Sequence, residues 1–260
     1  MEDVKMKKVC VMLMMAALVA AGQAALIVDY NGPDSNIDAA VADVQTTGGD
    51  TWTFSDTTPL LSAATGQNTT VYGGVITTWD VSQEYNPKLR FLTSTGADTA
   101  LQIQVNPALP ADTSEKAVLL WNQADFLNGA ASETVAFEAG SSLSVNLTSL
   151  TSSTRDHRFV VNQGGTYYVS EDALLTKTTG VYEIDPSATN WAALNTSDYS
   201  WDTFSALTLD DVQGVGLYSN MTRAGNQTIL KFDDFQASTV PEPATMALLG
   251  LGGLLLRRKK

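Results

Sequence analysis

Twelve short runs in this chain read as strands, several of them alternating apolar and polar side chains, with turn residues between them. Alternation at period two puts successive side chains on opposite faces of an extended strand, so such a chain must build sheets. The runs are residues 51–54, 71–79, 88–92, 100–105, 116–121, 134–138, 142–147, 157–161, 166–169, 180–184, 214–218 and 228–235. Gly48-Gly49-Asp50, Gly96-Ala97-Asp98, Asn106-Pro107 and Gly164-Gly165 supply turn chemistry between them. Many short strands with regular turns predict an all-β sandwich or barrel. Helix is scarce: Ile37–Val44 has room for two turns capped by Asp34 or Ser35, and Asp210-Asp211-Val212 for a short turn.

The two ends differ from this middle. Lys5, Lys7 and Lys8 precede an apolar run from Val9 to Ala21, and Gly22-Gln23-Ala24 places small residues at −3 and −1 of a cut between Ala24 and Ala25. This is the layout of a secretory signal, and residues 1–24 are expected to be removed. At the other end, Pro241 and Pro243 remove two backbone donors and push Val240 and Glu242 out of the helical region. The tetrapeptide is therefore extended, which suits a protease cleft that binds its substrate as a strand. Thirteen residues without charge follow, Ala244 to Leu256, and then Arg257-Arg258-Lys259-Lys260. A thirteen-residue helix is roughly 20 Å long, short against a hydrocarbon core of about 30 Å. The four cations are expected to stay on the cytoplasmic side.

Val240-Pro241-Glu242-Pro243, the apolar run and the basic end, in that order, resemble the PEP-CTERM sorting signal of exopolysaccharide-producing bacteria. The resemblance covers residues 239–260 alone. It implies that the tail is held transiently in the inner membrane as a transmembrane sorting helix and removed by exosortase, a membrane protease. That chemistry belongs to the enzyme, and this chain is its substrate. Signal peptidase and the secretion machinery are the other expected partners. The expected destination is the cell surface or extracellular matrix.

The body between the ends, residues 25–238, is strongly acidic. Of fifteen Lys+Arg, three lie in 1–24 and four in 240–260; of twenty-eight Asp+Glu, two and one do, so the remainder carries 8 against 25. Such a surface excludes nucleic acid, whose phosphates require cations. The sole cysteine, Cys10, lies in the signal, so the exported body has no disulfide and depends on its core. The lone histidine, His157, sits in the charged run Arg155-Asp156-His157-Arg158 and reads as a solvated loop or edge residue. No Gly-x-Ser-x-Gly elbow, phosphate loop or His cluster occurs, and no catalytic residue or required cofactor is expected.

Two passages narrow the sandwich. Arg158–Asn162, Gly164-Gly165 and Thr166–Val169 read as a hairpin. Val212–Tyr218 and Ile229–Phe235, with their hydrophobic-Asp-Asp-Phe ending, resemble the closing strands of jelly-roll carbohydrate-binding modules and galactose-binding-like domains. The resemblance implies a jelly roll whose last strand lies near its first, and a structural calcium there. Asp233 or Asp234 would then meet Asp29, a carboxylate set suited to a hard cation. Polysaccharide binding would need flat aromatic rings at the surface. Trp121 follows the apolar run Ala117–Leu120 and reads as core, whereas Trp191, Tyr199 and Trp201 fall in the polar stretch 190–204, which reads as a loop and the best ligand surface. Two readings follow: a non-catalytic surface or matrix protein associated with exopolysaccharide, and a lectin-like module with a defined glycan. A glycoside hydrolase ranks below both, because no segment groups carboxylates with aromatics as its chemistry requires.

Overall fold

The computed structural model describes residues 25–30, 44–45, 52–62, 70–77, 88–93, 99–105, 114–127, 130, 135–150, 154–173, 180–222 and 228–240. The signal, the 37–44 helix (apart from Val44), Pro241–Pro243 and the apolar and basic parts of the tail lie outside these residues. In chain order the strands are β1 Ala25–Tyr30, β2 Val44–Gln45, β3 Trp52–Ser55, β4 Leu61–Ser62, β5 Thr70–Thr77, β6 Lys88–Thr93, β7 Thr99–Val105, β8 Ser114–Asn122, β9 Ser142–Leu150, β10 Thr154–Gln163, β11 Thr166–Ala173, β12 Gly180–Ile184, β13 Asn190–Asn195, β14 Ser200–Trp201, β15 Ser205–Ala206, β16 Val212–Thr222 and β17 Thr228–Thr239. Gln123–Asp125 forms a single 3-10 turn. Among the described residues no helix is long and apolar enough to cross a membrane.

The strands form two antiparallel sheets. One runs β12-β9-β17-β7-β6-β2, with β1 also on β17; the other runs β14-β13-β11-β10-β16-β8-β5-β3, with β15 on β13 and β4 on β5. The chain crosses between sheets at β2–β3, β5–β6, β7–β8, β8–β9, β9–β10, β11–β12, β12–β13 and β16–β17. Neighbours in sequence thus often face each other across the core, which is the winding of a jelly roll. The 212–218 and 229–235 runs lie in different sheets and contribute Val215, Leu217 and Phe235 to one core. The expected hairpin is β10–β11, turned by Gly164 (φ 57) and Gly165 (φ 80), the left-handed pair that a tight two-residue turn requires. The run 134–138, expected as a strand, is not one over its described residues: Val135 makes an isolated bridge to Val212, and Phe137 N–H donates to the Leu209 carbonyl.

Period two sorts the side chains of the larger sheet. Ala117, Leu119 and Trp121 of β8, Phe159 and Val161 of β10, and Val215 and Leu217 of β16 face the other sheet. There they meet Ile27, Val28 and Tyr30 of β1, Leu143, Val145 and Leu147 of β9, and Phe235 and Ala237 of β17. Trp121 stacks on Phe235 at 4.3 Å between centroids, joining the two sheets. The alternating residues Val118, Leu120, Val160, Tyr167, Val169 and Tyr218 form a second apolar cluster on the opposite face.

β17 needs a break in its alternation to serve this core. Phe232 and Phe235 are three apart, an odd spacing that would put them on opposite faces of a regular strand. The register shifts between Asp233 and Gln236, so that two residues oppose Val145 of β9, and Asp234 takes φ +47. Such a β-bulge shifts the alternation of the strand by one residue, and aspartate tolerates the left-handed conformation better than most residues. Phe232 stands opposite Leu147 in register before the bulge, and Phe235 within it is fully buried.

Candidate functional site

Two places on the sandwich carry features that packing alone does not require. The first is the pole where the chain enters and leaves. β1 pairs with the end of β17, Ala25 opposite Thr239 and Leu26 opposite Ser238. This is the meeting of first and last strands that the jelly-roll resemblance implied. On the other flank of β17, Ser238 pairs with Ser142, and their hydroxyls lie 2.9 Å apart. Val240, the first residue of the proline-braced segment, directs its N–H toward Ser141 Oγ at a long 3.4 Å. The turn before Ser141 is held by Asp185, whose Oδ1 accepts the N–H (2.9 Å) and hydroxyl (2.7 Å) of Ser187 and whose Oδ2 faces the N–H of Gly140. Burial pushes the Asp185 carboxyl up, but the Ser187 hydroxyl and N–H outweigh it and hold it below the ordinary carboxylate range.

The second place is the outer face of the larger sheet. Segment 196–204 folds back over it. Lys116 Nζ donates to Asp198 O at 3.1 Å, anchoring this strap across the sheet. Ser200 donates from both its hydroxyl and its N–H to Asp198 Oδ1, which keeps that carboxyl below its usual range. Arg158 lies beneath the strap. Its Nε donates to Asp156 Oδ1 at 2.8 Å and its Nη1 to the carbonyls of Ser170 and Glu171. The rings of Trp201 and Phe204 sit 5.2 and 5.3 Å from its guanidinium carbon, a cation–π arrangement. Trp201 also meets Tyr218 edge-on at 5.1 Å.

At the far end of this face, Phe54 packs edge-on against Tyr167 at 4.6 Å and against Tyr199 at 6.4 Å. Tyr167 donates its hydroxyl to Asp56 Oδ2 at 2.7 Å, and Asn122 donates to the Asp56 carbonyl. Burial raises the hydroxyl pKa of Tyr167, Tyr199 and Tyr218; Asp56 adds to the rise for Tyr167 and Asp156 for Tyr218.

The residues singled out in the sequence are distributed as follows. Trp191 lies in β13, not in a loop; it is 1 % exposed, faces the inter-sheet core and donates Nε1–H to the carbonyl of Pro186. Tyr199 is also 1 % exposed and has φ +54. Neither offers a ring face to solvent, whereas Trp201 is partly exposed. His157 is not a solvated edge residue: it is buried in β10, an internal strand, opposite Ser219. Asp29 pairs with Gln236 and accepts its Nε2–H at 3.1 Å, one register step beyond Phe235 and the Asp234 bulge. Among the described residues no three His, Cys, Asp or Glu side chains converge as a metal site. Asp29 and Asp234 alone do not supply the six to eight oxygens that calcium takes, and the Asp233 side chain lies outside the described residues.

Sequence reading missed Arg158 and the strap. The available signal was the pair of runs Ala117–Trp121 and Phe159–Val161, apolar at consecutive positions instead of alternate ones. Such runs mark strands covered on both faces.

Comparison with known proteins bears on both places. Residues 239–260 match the PEP-CTERM protein-sorting motif. No curated protein matches the chain. Among solved structures, it is similar to a family 11 carbohydrate-binding module from Clostridium thermocellum in complex with a β-1,3-1,4-mixed-linked tetrasaccharide, at 10 % identity and a TM-score of 0.39, covering 71 % of this chain and 96 % of that one. It is also similar to an exo-β-agarase (12 % identity, TM-score 0.34, 61 % of this chain and 23 % of that one) and to the agarase AgWH50C (12 %, 0.31, 64 % and 25 %). The chain thus spans about a quarter of each agarase. The segment that leaves the sandwich beside Ala25 and begins at the last residue of β17 is a PEP-CTERM protein-sorting motif, carried here by an all-β, jelly-roll sandwich.

Proposed function

We propose that this chain is an exported, non-catalytic surface or extracellular-matrix protein. Its tail holds it in the inner membrane as an intermediate, exosortase removes the tail, and the acidic sandwich remains outside in association with exopolysaccharide. The observation that carries the reading is the sorting motif at residues 239–260, which starts where the last strand ends. The apolar, positively flanked segment before Ala25 supports export, because a sorting tail of this kind has a use only on a translocated chain. Mass spectrometry of the mature protein from its own host tests it. The expected product begins near Ala25 and lacks everything beyond the 240–243 tetrapeptide; an intact Lys260 on the surface form refutes it.

A second reading, a lectin-like module, is favoured by one feature: the partly exposed Trp201 and Phe204 rings gathered around Arg158 beside Asp156. Flat rings beside charged hydrogen-bonding groups are what a sugar ring stacks on and bonds to. Trp191 and Tyr199 would support such a surface from below without touching the ligand.

A further inference from the structure

Pairing with the larger sheet stops where the strap begins. β13 pairs with β11 through Trp191, Ala192 and Ala193, and with β15 through Asn190 and Trp191. Beyond Ala193 it pairs with β14 alone, Leu194 opposite Trp201 and Asn195 opposite Ser200. The tip closes on itself: Tyr199 N–H donates to the Asn195 carbonyl at 2.8 Å, and Ser197 N–H to Asn195 Oδ1 at 3.0 Å. Among the described residues, none from 194 to 204 has a register partner outside this hairpin. Yet the tip reaches far. Lys116, which donates to Asp198 O, lies on β8, four strands from β13 in the order β13-β11-β10-β16-β8. At about 4.8 Å per strand that is roughly 19 Å. Side chains hold the strap over this distance: Lys116 at the tip, Arg158 between the Trp201 and Phe204 rings, and the buried Tyr199 ring.

Closure is costly at the points of contact. Tyr199 has φ +54, a left-handed conformation that glycine and asparagine adopt readily and bulky residues avoid. Its hydroxyl is buried without a hydrogen-bond partner, and so is Oδ1 of Asn220, which pairs with Lys116 on one side and Asp156 on the other. We infer that residues 194–204 are a lid, which lifts as one piece from the outer face while the sandwich beneath stays folded. Lifting gives both orphaned polar atoms to water and frees Tyr199 from its left-handed conformation, which offsets lost packing. It breaks no sheet ladder, because β11, β10, β16 and β8 keep their neighbours. Segments so weakly joined to the body are the ones that open locally, and the hinges fall at the residues where pairing ends. Opening bares Val118, Leu120, Val160 and Tyr218. Trp201 and Phe204 leave with the lid, so Arg158 keeps its aromatic neighbours only while the lid is shut. The lid thereby governs access to the outer face of the larger sheet.

Val160 and Val161 test this directly, being adjacent in β10 and fully buried, the first on the outer face and the second in the inter-sheet core. Cys10 is the sole cysteine, so the full-length chain with Cys10→Ser carries one thiol when Val160→Cys or Val161→Cys is added. Each is alkylated with iodoacetamide in native buffer. The expected result is that the Val160→Cys chain reacts at least about tenfold faster than the Val161→Cys chain, because lid opening suffices for the first and global unfolding is needed for the second. Lys116→Met, which removes the donor at the tip, is expected to speed the Val160→Cys chain severalfold and leave the Val161→Cys chain unchanged. Equal rates at the two positions overturn the inference, as does a Lys116→Met change that speeds both alike. Nitration with tetranitromethane tests the unsubstituted chain. Tyr30, Tyr199 and Tyr218 are each 1 % exposed, but Tyr30 faces the inter-sheet core. Peptide mapping is expected to find nitrotyrosine at Tyr199 and Tyr218 before Tyr30; simultaneous nitration of all three overturns the lid.

Discussion

Raising the pH tests the burial of the sheet's outer face more directly than any single substitution. Tyr167 and Tyr218 sit under the strap and Tyr199 is the strap's own buried ring; the three are 7 %, 1 % and 1 % exposed in the order Tyr167, Tyr218, Tyr199. Burial raises each hydroxyl above the ordinary value of about 10. Above that pH the unfolded chain has released these protons while the folded chain retains them. The unfolded state then binds fewer protons, so stability falls as pH rises and is fully present below about pH 10. Each tyrosine contributes a slope of about 1.4 kcal/mol per pH unit, and three together about 4 kcal/mol per unit. Against a typical total of about 5–15 kcal/mol, two units of pH remove much or all of the stability. Urea unfolding of residues 25–240 at a series of pH values measures the slope, and ultraviolet absorption of tyrosinate reports when the rings ionise. Tyr199→Phe lowers the slope by about 1.4 kcal/mol per unit. It also stabilises at neutral pH, because the Tyr199 hydroxyl is buried without a hydrogen-bond partner. Tyr167→Phe lowers the slope equally but destabilises by about 1.5–3 kcal/mol, having lost its bond to the Asp56 carboxylate. Ionisation of all three rings near pH 10 in the folded protein would show that water reaches the outer face, and the account of the strap would fail.

Phe235→Ala removes the ring stacked on Trp121 at 4.3 Å and is expected to cost about 3–5 kcal/mol in urea unfolding; a loss below about 1 kcal/mol would mean that the β17 bulge does not serve to seat this ring. If Asp233 completes a calcium shell with Asp29 and Asp234, a chelator lowers the Tm of the purified sandwich and Asp29→Asn abolishes that response; an unchanged Tm discards the site. If the module reading holds, the sandwich is retarded in a polysaccharide gel and Trp201→Ala abolishes retardation with the fold intact by circular dichroism. Equal mobility of wild type in gels with and without every glycan tried leaves the matrix-protein reading as the better one.

The sorting tail was legible in the sequence because its information is local. A proline-braced break, an uncharged run and four terminal cations need no tertiary partner to be recognised. The sandwich was legible for a related reason: period-two runs and glycine turns state strand and hairpin, and Gly164-Gly165 marked its hairpin correctly. The positions of the chemistry-bearing side chains were not. Alternation says that Val160 and Val161 point in opposite directions, but not that both directions are covered. His157 read as solvated because its neighbours are charged, yet it lies in an internal strand, opposite Ser219 of β16, and is buried. Trp191 and Tyr199 read as a loop surface because their neighbours are polar, yet one faces the inter-sheet core and the other is buried between the strap and the larger sheet. By itself the sequence determined an acidic, thiol-free, all-β body between two apolar ends. Only the tertiary structure decided that the first and last strands of the body meet at one pole and that buried side chains lie on both faces of the larger sheet's central strands. Both depend on pairings between residues far apart in the chain, Ala25 with Thr239 and Lys116 with Asp198, and no local pattern encodes contacts at that separation.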